Sequence, residues 1–105
     1  MTNTNLTDFD IDTILSVFKS FPKIDEAILF GSRAKGTSKQ GSDIDIALKG
    51  ISLHDDIARI SATLNEETPL PYFFDILDYQ TITNIELKNH IDRIGLSLYK
   101  KTDTP

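Results

Sequence analysis

Apolar residues recur at helical spacing in three stretches of this chain, which predicts helices over residues 7–20, 52–66 and 83–95. Each stretch begins with a Ser or Thr that is followed three positions later by an acidic residue, the pattern of an N-terminal cap. These pairs are Thr7 with Asp10, Ser52 with Asp55, and Thr83 with Glu86. The third helix is predicted to end at Gly95 in the left-handed conformation.

Short apolar segments between and after these helices predict β-strands at residues 27–30, 43–48, 72–77 and 96–99. The first segment is apolar on both sides, which is typical of an interior strand. The last one alternates apolar and polar residues, and we expect it at an edge of the sheet. The pattern therefore predicts an α/β fold with a small mixed sheet of about four strands flanked by about three helices.

The residues that can carry chemistry lie where the first two predicted strands meet. Gly31 and Ser32 follow the first strand directly, and Asp43 and Asp45 open the second. Residues i and i+2 of a strand point to the same face about 7 Å apart, so the two carboxylates project together. Such a pair can hold one or two hard divalent cations, and the backbone N–H groups of a Gly-Ser turn can receive phosphate. If the strands are antiparallel, these ends are neighbours, as phosphoryl or nucleotidyl transfer requires.

Each of these features also has a simpler interpretation, since a Gly-Ser pair is usually a turn and an Asp-x-Asp pair usually a solvated surface. Asp43 and Asp45, however, interrupt a strand whose other face is strictly apolar. They therefore lie beside the core, where an uncompensated carboxylate is costly. A metal ion would compensate them. The alternative is a structural ion-pair cluster with the cations of the connecting loop.

That loop runs from Gly31 to Ser42 and carries Arg33, Lys35 and Lys39 without any carboxylate. The two lysines are expected to raise the local positive potential. Arg33 has two interpretations that the sequence leaves open. It is either an ordinary solvated cation or a group that reaches nucleotide phosphates or a partner.

A third carboxylate, Asp75, lies in the predicted strand at 72–77. Phe74 and Ile76 share one face of that strand, and Asp75 points to the other. Asp78 has the parity of the apolar pair, so it is expected to cap the following turn. The alternative for Asp75 is a strand aspartate on a solvated face, because the sequence does not show that this strand lies next to the second one.

Composition and net charge argue against several kinds of binding and of site. The net charge of −5 argues against tight nonspecific binding to nucleic acid, and the absence of cysteine excludes disulfides and thiolate metal sites. No leader and no apolar run of membrane-spanning length is present, so a cytoplasmic protein without membrane contact is expected. One domain over residues 1–105 is predicted, with 1–6 and 100–105 flexible. His54 and His90 are interpreted as solvated or structural.

The segment Gly-Ser-Arg-Ala-Lys-Gly at 31–36, five residues, and Ser-Asp-Ile-Asp-Ile at 42–46 closely resemble the signature of the nucleotidyltransferase superfamily with the DNA polymerase beta fold. Within it, the chain is similar to the minimal nucleotidyltransferases, the MntA-like proteins. The resemblance implies a polymerase-beta-like core that uses ATP with magnesium, with two Mg²⁺ ions expected. It also implies a HEPN-domain toxin as partner and adenylylation of a tyrosine on that partner, which makes the chain an antitoxin.

Two groups of site residues follow. The catalytic and metal-binding group is Asp43, Asp45 and Asp75. The nucleotide-binding group is Gly31, Ser32, Arg33 and Ser42. The chain is short for enclosing both a nucleotide and an acceptor, so a partner protein or a homo-oligomer is expected to complete the site. The alternatives are a non-catalytic antitoxin that occludes its partner, and a nucleotidyltransferase that acts on a small molecule.

Overall fold

The computed structural model describes residues 4–39 and 41–101, which form four helices and four strands. In chain order these are α1 (Asp8–Lys19), β1 (Ile24–Phe30), α2 (Ser32–Lys35), β2 (Ile44–Gly50), α3 (Ile57–Glu66), β3 (Phe74–Asp78), α4 (Ile85–Ile94) and β4 (Leu96–Lys100). The predicted α/β class and mixed four-stranded sheet are confirmed. The helix beyond the three predicted is α2, a single turn that begins directly after Gly31.

The strands lie in the order β3-β2-β1-β4. β1 is antiparallel to both β2 and β4, whereas β2 and β3 are parallel. This confirms the antiparallel pairing predicted for the first two strands and the edge position of the last. It also settles a point that the sequence left open, since β3 is the direct neighbour of β2.

Both faces of the sheet are covered, by different helices. The larger hydrophobic cluster lies between the sheet and helices α1 and α3, where Phe18, Ile46 and Ile60 are fully buried. The smaller cluster lies beneath α4 and consists of Ile28, Phe30, Ala47 and Ile91. Because side chains alternate along a strand, Asp45 and Asp75 point to the same face as Ala47, the α4 face.

The ends of the helices follow the predictions only in part. The Thr7–Asp10 capping box is confirmed, with both of its reciprocal hydrogen bonds present. Ser52, in contrast, makes no capping hydrogen bond, because a 3₁₀ turn at Leu53–Asp55 precedes α3. The predicted Thr83 cap is wrong by one residue.

The N-cap of α4 is Asn84, whose side-chain oxygen accepts from the backbone N–H of Leu87 at 3.1 Å. Asn ranks above Thr as an N-cap, whereas the capping-box spacing with Glu86 points to Thr83, so the two local signals disagree. Gly95 is not left-handed either, with φ −59° and ψ 144°. Its role is steric, because a Cβ at this position would overlap the Cγ2 atom of Ile28 where α4 turns into β4.

Parts of the chain ends predicted to be flexible make defined contacts. Thr4 and Asn5 accept hydrogen bonds from Arg33 through their backbone carbonyls. Lys100 lies within β4, and the N–H of Lys101 donates to the carbonyl of Asp25 at 2.8 Å. The rest of that prediction, at 1–3 and 102–105, lies outside the described residues. None of the helices in the described part of the chain is long and apolar enough to cross a membrane.

Candidate active site

The sheet places two of the three predicted acidic residues side by side. Asp45 pairs with Phe30 of β1 on one side and with Asp75 of β3 on the other. Parallel neighbours in register have Cα atoms about 4.8 Å apart and side chains on the same face. Asp43 lies two residues earlier with the same parity, just before β2 begins. We refer to Asp43, Asp45 and Asp75 as the acidic cluster.

The turn formed by Gly31 and Ser32, the glycine–serine turn, lies directly against this cluster. Gly31 has φ +76°, and a Cβ on it would overlap the Oδ2 atom of Asp45. The backbone conformation and the close approach both require glycine here. The carbonyl of Gly31 accepts from the N–H of Lys35 at 3.1 Å, which closes the single turn of α2. The first N–H groups of a helix have no partner within it, so the Ser32 end of this turn offers donors beside the carboxylates.

The electrostatics of the cluster favour a bound cation. Burial raises the pKa of the half-buried Asp45, and the charges of Asp75 and Asp43 raise it further, while Arg33 acts in the opposite direction. Within residues 4–39 and 41–101, no hydrogen bond joins the cations of the loop to these carboxylates. The observation weighs against the structural ion-pair alternative, because the mutual repulsion is left uncompensated by such bonds.

The donor types of the cluster suit magnesium. In the described part of the chain, no three acidic or histidine side chains are arranged so that they would hold a metal ion by themselves. Mg²⁺ usually binds through one or two carboxylates, several waters and the phosphates of the substrate rather than in an all-protein cage. Two neighbouring strand aspartates beside a turn with N–H donors unpaired within its helix fit that mode of binding.

Arg33 is fully buried, with 1% of its surface exposed, so the solvated interpretation is wrong. Its guanidinium donates to the carbonyls of Ser42, at 2.6 Å from Nη2 and 3.2 Å from Nε, and of Asp43, at 3.2 Å from Nε. On the other side, Nη1 donates to the carbonyls of Thr4 at 2.9 Å and Asn5 at 3.2 Å. Arg33 therefore joins the segment before β2 to the N-terminal segment.

A polar cluster formed by Tyr72 and Asp10 lies next to this arginine. The Cζ atom of Arg33 lies 4.8 Å from the ring centroid of Tyr72, and the Tyr72 hydroxyl donates to Asp10 Oδ2 at 3.0 Å. Burial by itself would raise the pKa of Asp10. Its hydrogen bonds with Thr7 and Tyr72 and the charge of Arg33 outweigh burial and lower that pKa. Sequence reasoning missed this cluster, since Asp10 and Tyr72 are 62 residues apart and no local pattern links them.

Ser42, predicted to bind nucleotide, closes a turn. Its backbone N–H donates to the carbonyl of Lys39 at 3.0 Å, and its hydroxyl accepts from the N–H of Lys39 at 2.9 Å. Together with Arg33, this turn determines where Asp43 leaves the loop. The side chains of Lys35 and Lys39 are exposed, in agreement with their predicted general electrostatic role.

His90, interpreted from the sequence as structural or solvated, contacts the glycine–serine turn. Its Nε2 atom accepts from the N–H of Gly31 at 3.2 Å, and its ring packs edge-on against Phe30 with centroids 6.2 Å apart. A position next to an apolar residue in a helix gives no signal for this contact. Only the packing of α4 on the end of β1 creates it.

The acidic cluster is open to solvent. Asp43 and Asp75 are exposed. Cavities of about 320 and 500 Å³ in the described part of the chain are lined by residues outside the cluster. The smaller one borders Arg33 and Tyr72. An open acidic site is accessible to a large acceptor as well as to a nucleotide.

A glycine–serine turn after one strand, facing aspartates on the next two, is an arrangement suited to nucleotidyl or phosphoryl transfer. The family comparison is consistent with this. Residues 12–104 match the family described as Polymerase beta, Nucleotidyltransferase, and the chain belongs to that family. A comparison with curated proteins gives no match.

Solved structures share the fold at low sequence identity. A chain of a toxin–antitoxin complex with AMP-PNP is 23% identical, with a TM-score of 0.72 over 88% of this chain and 74% of that one. A chain of the MntA–HepT toxin–antitoxin structure is 19% identical, with a TM-score of 0.68 over 90% and 74%. A chain of the complex of a tri-AMPylated Shewanella oneidensis HEPN toxin with an MNT antitoxin is 20% identical, with a TM-score of 0.64 over 87% and 70%.

The structure predicts that Arg33→Lys destabilises the protein although the charge is kept. A lysine has one donor nitrogen and cannot replace the five hydrogen bonds of the guanidinium, so backbone carbonyls lose their partners and the buried side chain loses its own. We expect the free energy of unfolding in urea to fall by roughly 2–4 kcal/mol. The exposed Lys39→Arg serves as the converse control and should change it by less than about 0.5 kcal/mol. Equal unfolding midpoints for both variants would contradict the structural role of Arg33.

Proposed function

We propose that this chain is a magnesium-dependent nucleotidyltransferase that transfers AMP from ATP to a tyrosine hydroxyl of a HEPN-type partner and so acts as its antitoxin. The observation that carries the proposal is the register of Asp45 with Asp75, directly against the glycine–serine turn. Membership of the nucleotidyltransferase family supports the reaction class. The complexes of similar fold, one with AMP-PNP and one with a tri-AMPylated HEPN toxin, support the nucleotide and the acceptor.

The site residues have separate roles in binding metal, binding phosphate and positioning the backbone. Asp43 and Asp45 would hold a magnesium ion and Asp75 would take part in holding a second, while the hydroxyl of Ser32 binds the terminal phosphates. Bound magnesium neutralises the triphosphate and the pyrophosphate that leaves. Arg33 and Ser42 contribute by positioning the backbone before Asp43, as their contacts indicate.

Asp75 is placed to act on the acceptor because its carboxylate is exposed at the open side of the site. It takes the proton of the acceptor hydroxyl as the oxygen attacks the α-phosphorus of ATP. The new bond joins that oxygen to phosphorus, and the bond to pyrophosphate breaks in line with it. Catalysis thus depends on positioning and on charge stabilisation.

The openness of the site favours an acceptor that is part of a protein. The side chains of Asp43 and Asp75 are exposed, and no element of the described chain covers Asp75. A protein surface docked over the site would exclude water and present the acceptor side chain. The net charge of −5 fits association with a protein better than with a nucleic acid backbone.

Replacing Asp45 tests the metal. Asp45→Asn removes repulsion with Asp75 and Asp43, so we expect the magnesium-free variant to be as stable as wild type or slightly more stable. Magnesium should raise the melting temperature of wild type by mass action and that of the variant much less. Asp12→Asn, an exposed change on α1, should respond to magnesium as wild type does. Identical responses of all three proteins would refute the metal assignment.

Ser32 tests the binding of the terminal phosphates. Ser32→Ala removes a hydrogen bond to a charged group, worth roughly 1.5–3 kcal/mol, so ATP and ADP should bind about ten- to a hundredfold more weakly. AMP, which lacks the β- and γ-phosphates, should be affected much less. Calorimetric titration measures all three affinities, with the exposed Ser97→Ala as the control. Unchanged ATP affinity in Ser32→Ala would rule out the assignment.

Asp75→Asn separates catalysis from occlusion, because the change is nearly isosteric and preserves the docking surface. In an enzymatic antitoxin this variant should bind the HEPN-type partner normally but fail to transfer AMP. Wild type should neutralise the partner at substoichiometric ratios and only with ATP.

The measurement is a titration of partner activity, combined with mass spectrometry of the partner for added AMP. Asp55→Asn, an exposed substitution of the same kind far from the cluster, should retain transfer. One-to-one neutralisation that needs no ATP and survives Asp75→Asn would show a non-catalytic antitoxin instead.

A further inference from the structure

The backbone N–H of Gly31 is hydrogen-bonded to a side chain of α4, which is distant in sequence. It donates to His90 Nε2 at 3.2 Å, across 59 residues of sequence. The N–H is therefore not available to a phosphate in this arrangement. The hydroxyl and N–H of Ser32 are left as the groups that the glycine–serine turn presents, and the orientation of the turn depends on α4.

This contact requires one protonation state of the imidazole. Nε2 accepts a hydrogen bond only when it carries no proton, so His90 is neutral with its hydrogen on Nδ1. Three features favour that state. Burial lowers the pKa of His90, and the positive charges of Lys35 on α2 and Arg93 on α4 lower it further. The ring of Phe30 covers one side of the imidazole. Asp45, whose negative charge acts in the opposite direction, lies on the far side of Gly31.

We propose that His90 is a positioning residue for nucleotide binding, whose neutral imidazole holds the Gly31 N–H and thereby aims Ser32 at the terminal phosphates. The inference rests on the proposed function of the turn. If Nε2 were protonated, it and the N–H of Gly31 would both be donors, and the hydrogen bond between them would break. The turn would then lose the hydrogen bond that orients it, and ATP would bind more weakly.

The direction of the pH effect follows from the lowered pKa. The ordinary value for histidine is 6.5, and the folded value of His90 lies below it. The stabilisation from neutral His90 is therefore complete above about pH 6.5 and is lost as the pH falls through the folded value. ATP affinity should be lost in the same acidic window.

Two substitutions separate the hydrogen bond from packing. His90→Gln keeps an acceptor at similar reach but does not titrate, whereas His90→Phe keeps an aromatic ring and has no acceptor. The other histidine of the chain, His54, is exposed and provides the matched control His54→Gln. The probes are ATP, ADP and AMP, titrated calorimetrically from about pH 7.5, above the ordinary pKa of histidine, down to the lowest pH at which the protein stays folded.

At the upper pH, His90→Phe should bind ATP and ADP about three- to tenfold more weakly than wild type, with AMP nearly unchanged. His90→Gln and His54→Gln should match wild type there. On acidification, wild type and His54→Gln should lose more ATP affinity than His90→Gln does. The residual loss in His90→Gln measures protonation of all other groups, which include the carboxylate of Asp45, with its raised pKa, and the nucleotide phosphate, which titrates near pH 6.

Imidazole ¹⁵N chemical shifts of the nucleotide-free protein give a second readout, with an unprotonated Nε2 expected for His90 at neutral pH. A protonated Nε2 at neutral pH would overturn the inference, as would equal pH dependence of wild type and His90→Gln. If His90→Phe does not fold, the comparison with His90→Gln decides. ATP binding without transfer to a partner would overturn the proposed acceptor but leave the His90 result standing. Absence of ATP binding by wild type would overturn both.

Discussion

A buried guanidinium governs the geometry of the acidic cluster. Removing a charged group from water is strongly unfavourable unless its donors find partners, and Arg33, which is 1% exposed, meets this requirement with backbone carbonyls. Two of those carbonyls belong to Ser42 and Asp43, the residues that lead into β2. Two others belong to Thr4 and Asn5. The entry to β2 is thus fixed by the need to satisfy one side chain, and the position of Asp43 follows from it.

The acidic cluster opposes folding, and the sheet holds it together. β2 has a strand on each side, and its apolar residues on the α1 and α3 face are completely buried. This packing keeps Asp45 beside Asp75 although burial and repulsion raise the pKa of Asp45. Charges assembled in this way gain from a cation and from the phosphates that accompany it. The site is therefore more favourable with its proposed ligands than without them, as expected of a functional site in a small protein.

The glycine–serine turn, which is proposed to bind phosphate, lies in a different part of the fold from the strands that carry Asp45 and Asp75. Gly31 of the glycine–serine turn has no side chain, so the carboxylate of Asp45 can lie against its backbone. The N–H of Gly31 donates to Nε2 of His90 on α4. Gly31 therefore lies between Asp45 of the acidic cluster and His90 of α4, and joins the proposed metal-binding group to that helix. Asp75 is exposed beside them, so the proposed acceptor can reach this carboxylate from solvent.

Local patterns determined the elements and the residue types of the site. Alternation placed Asp43 and Asp45 opposite an apolar face, and the turn of Gly31 and Ser32 followed from its position after a strand. The tertiary structure decided the rest. That β3 lies beside β2, that Arg33 is buried and that His90 meets Gly31 all depend on long-range packing, which no sequence window contains. The N-cap at Asn84 in place of Thr83 shows a limit of the local signals themselves, because the capping-box spacing points to Thr83 and the preference for Asn over Thr points to Asn84.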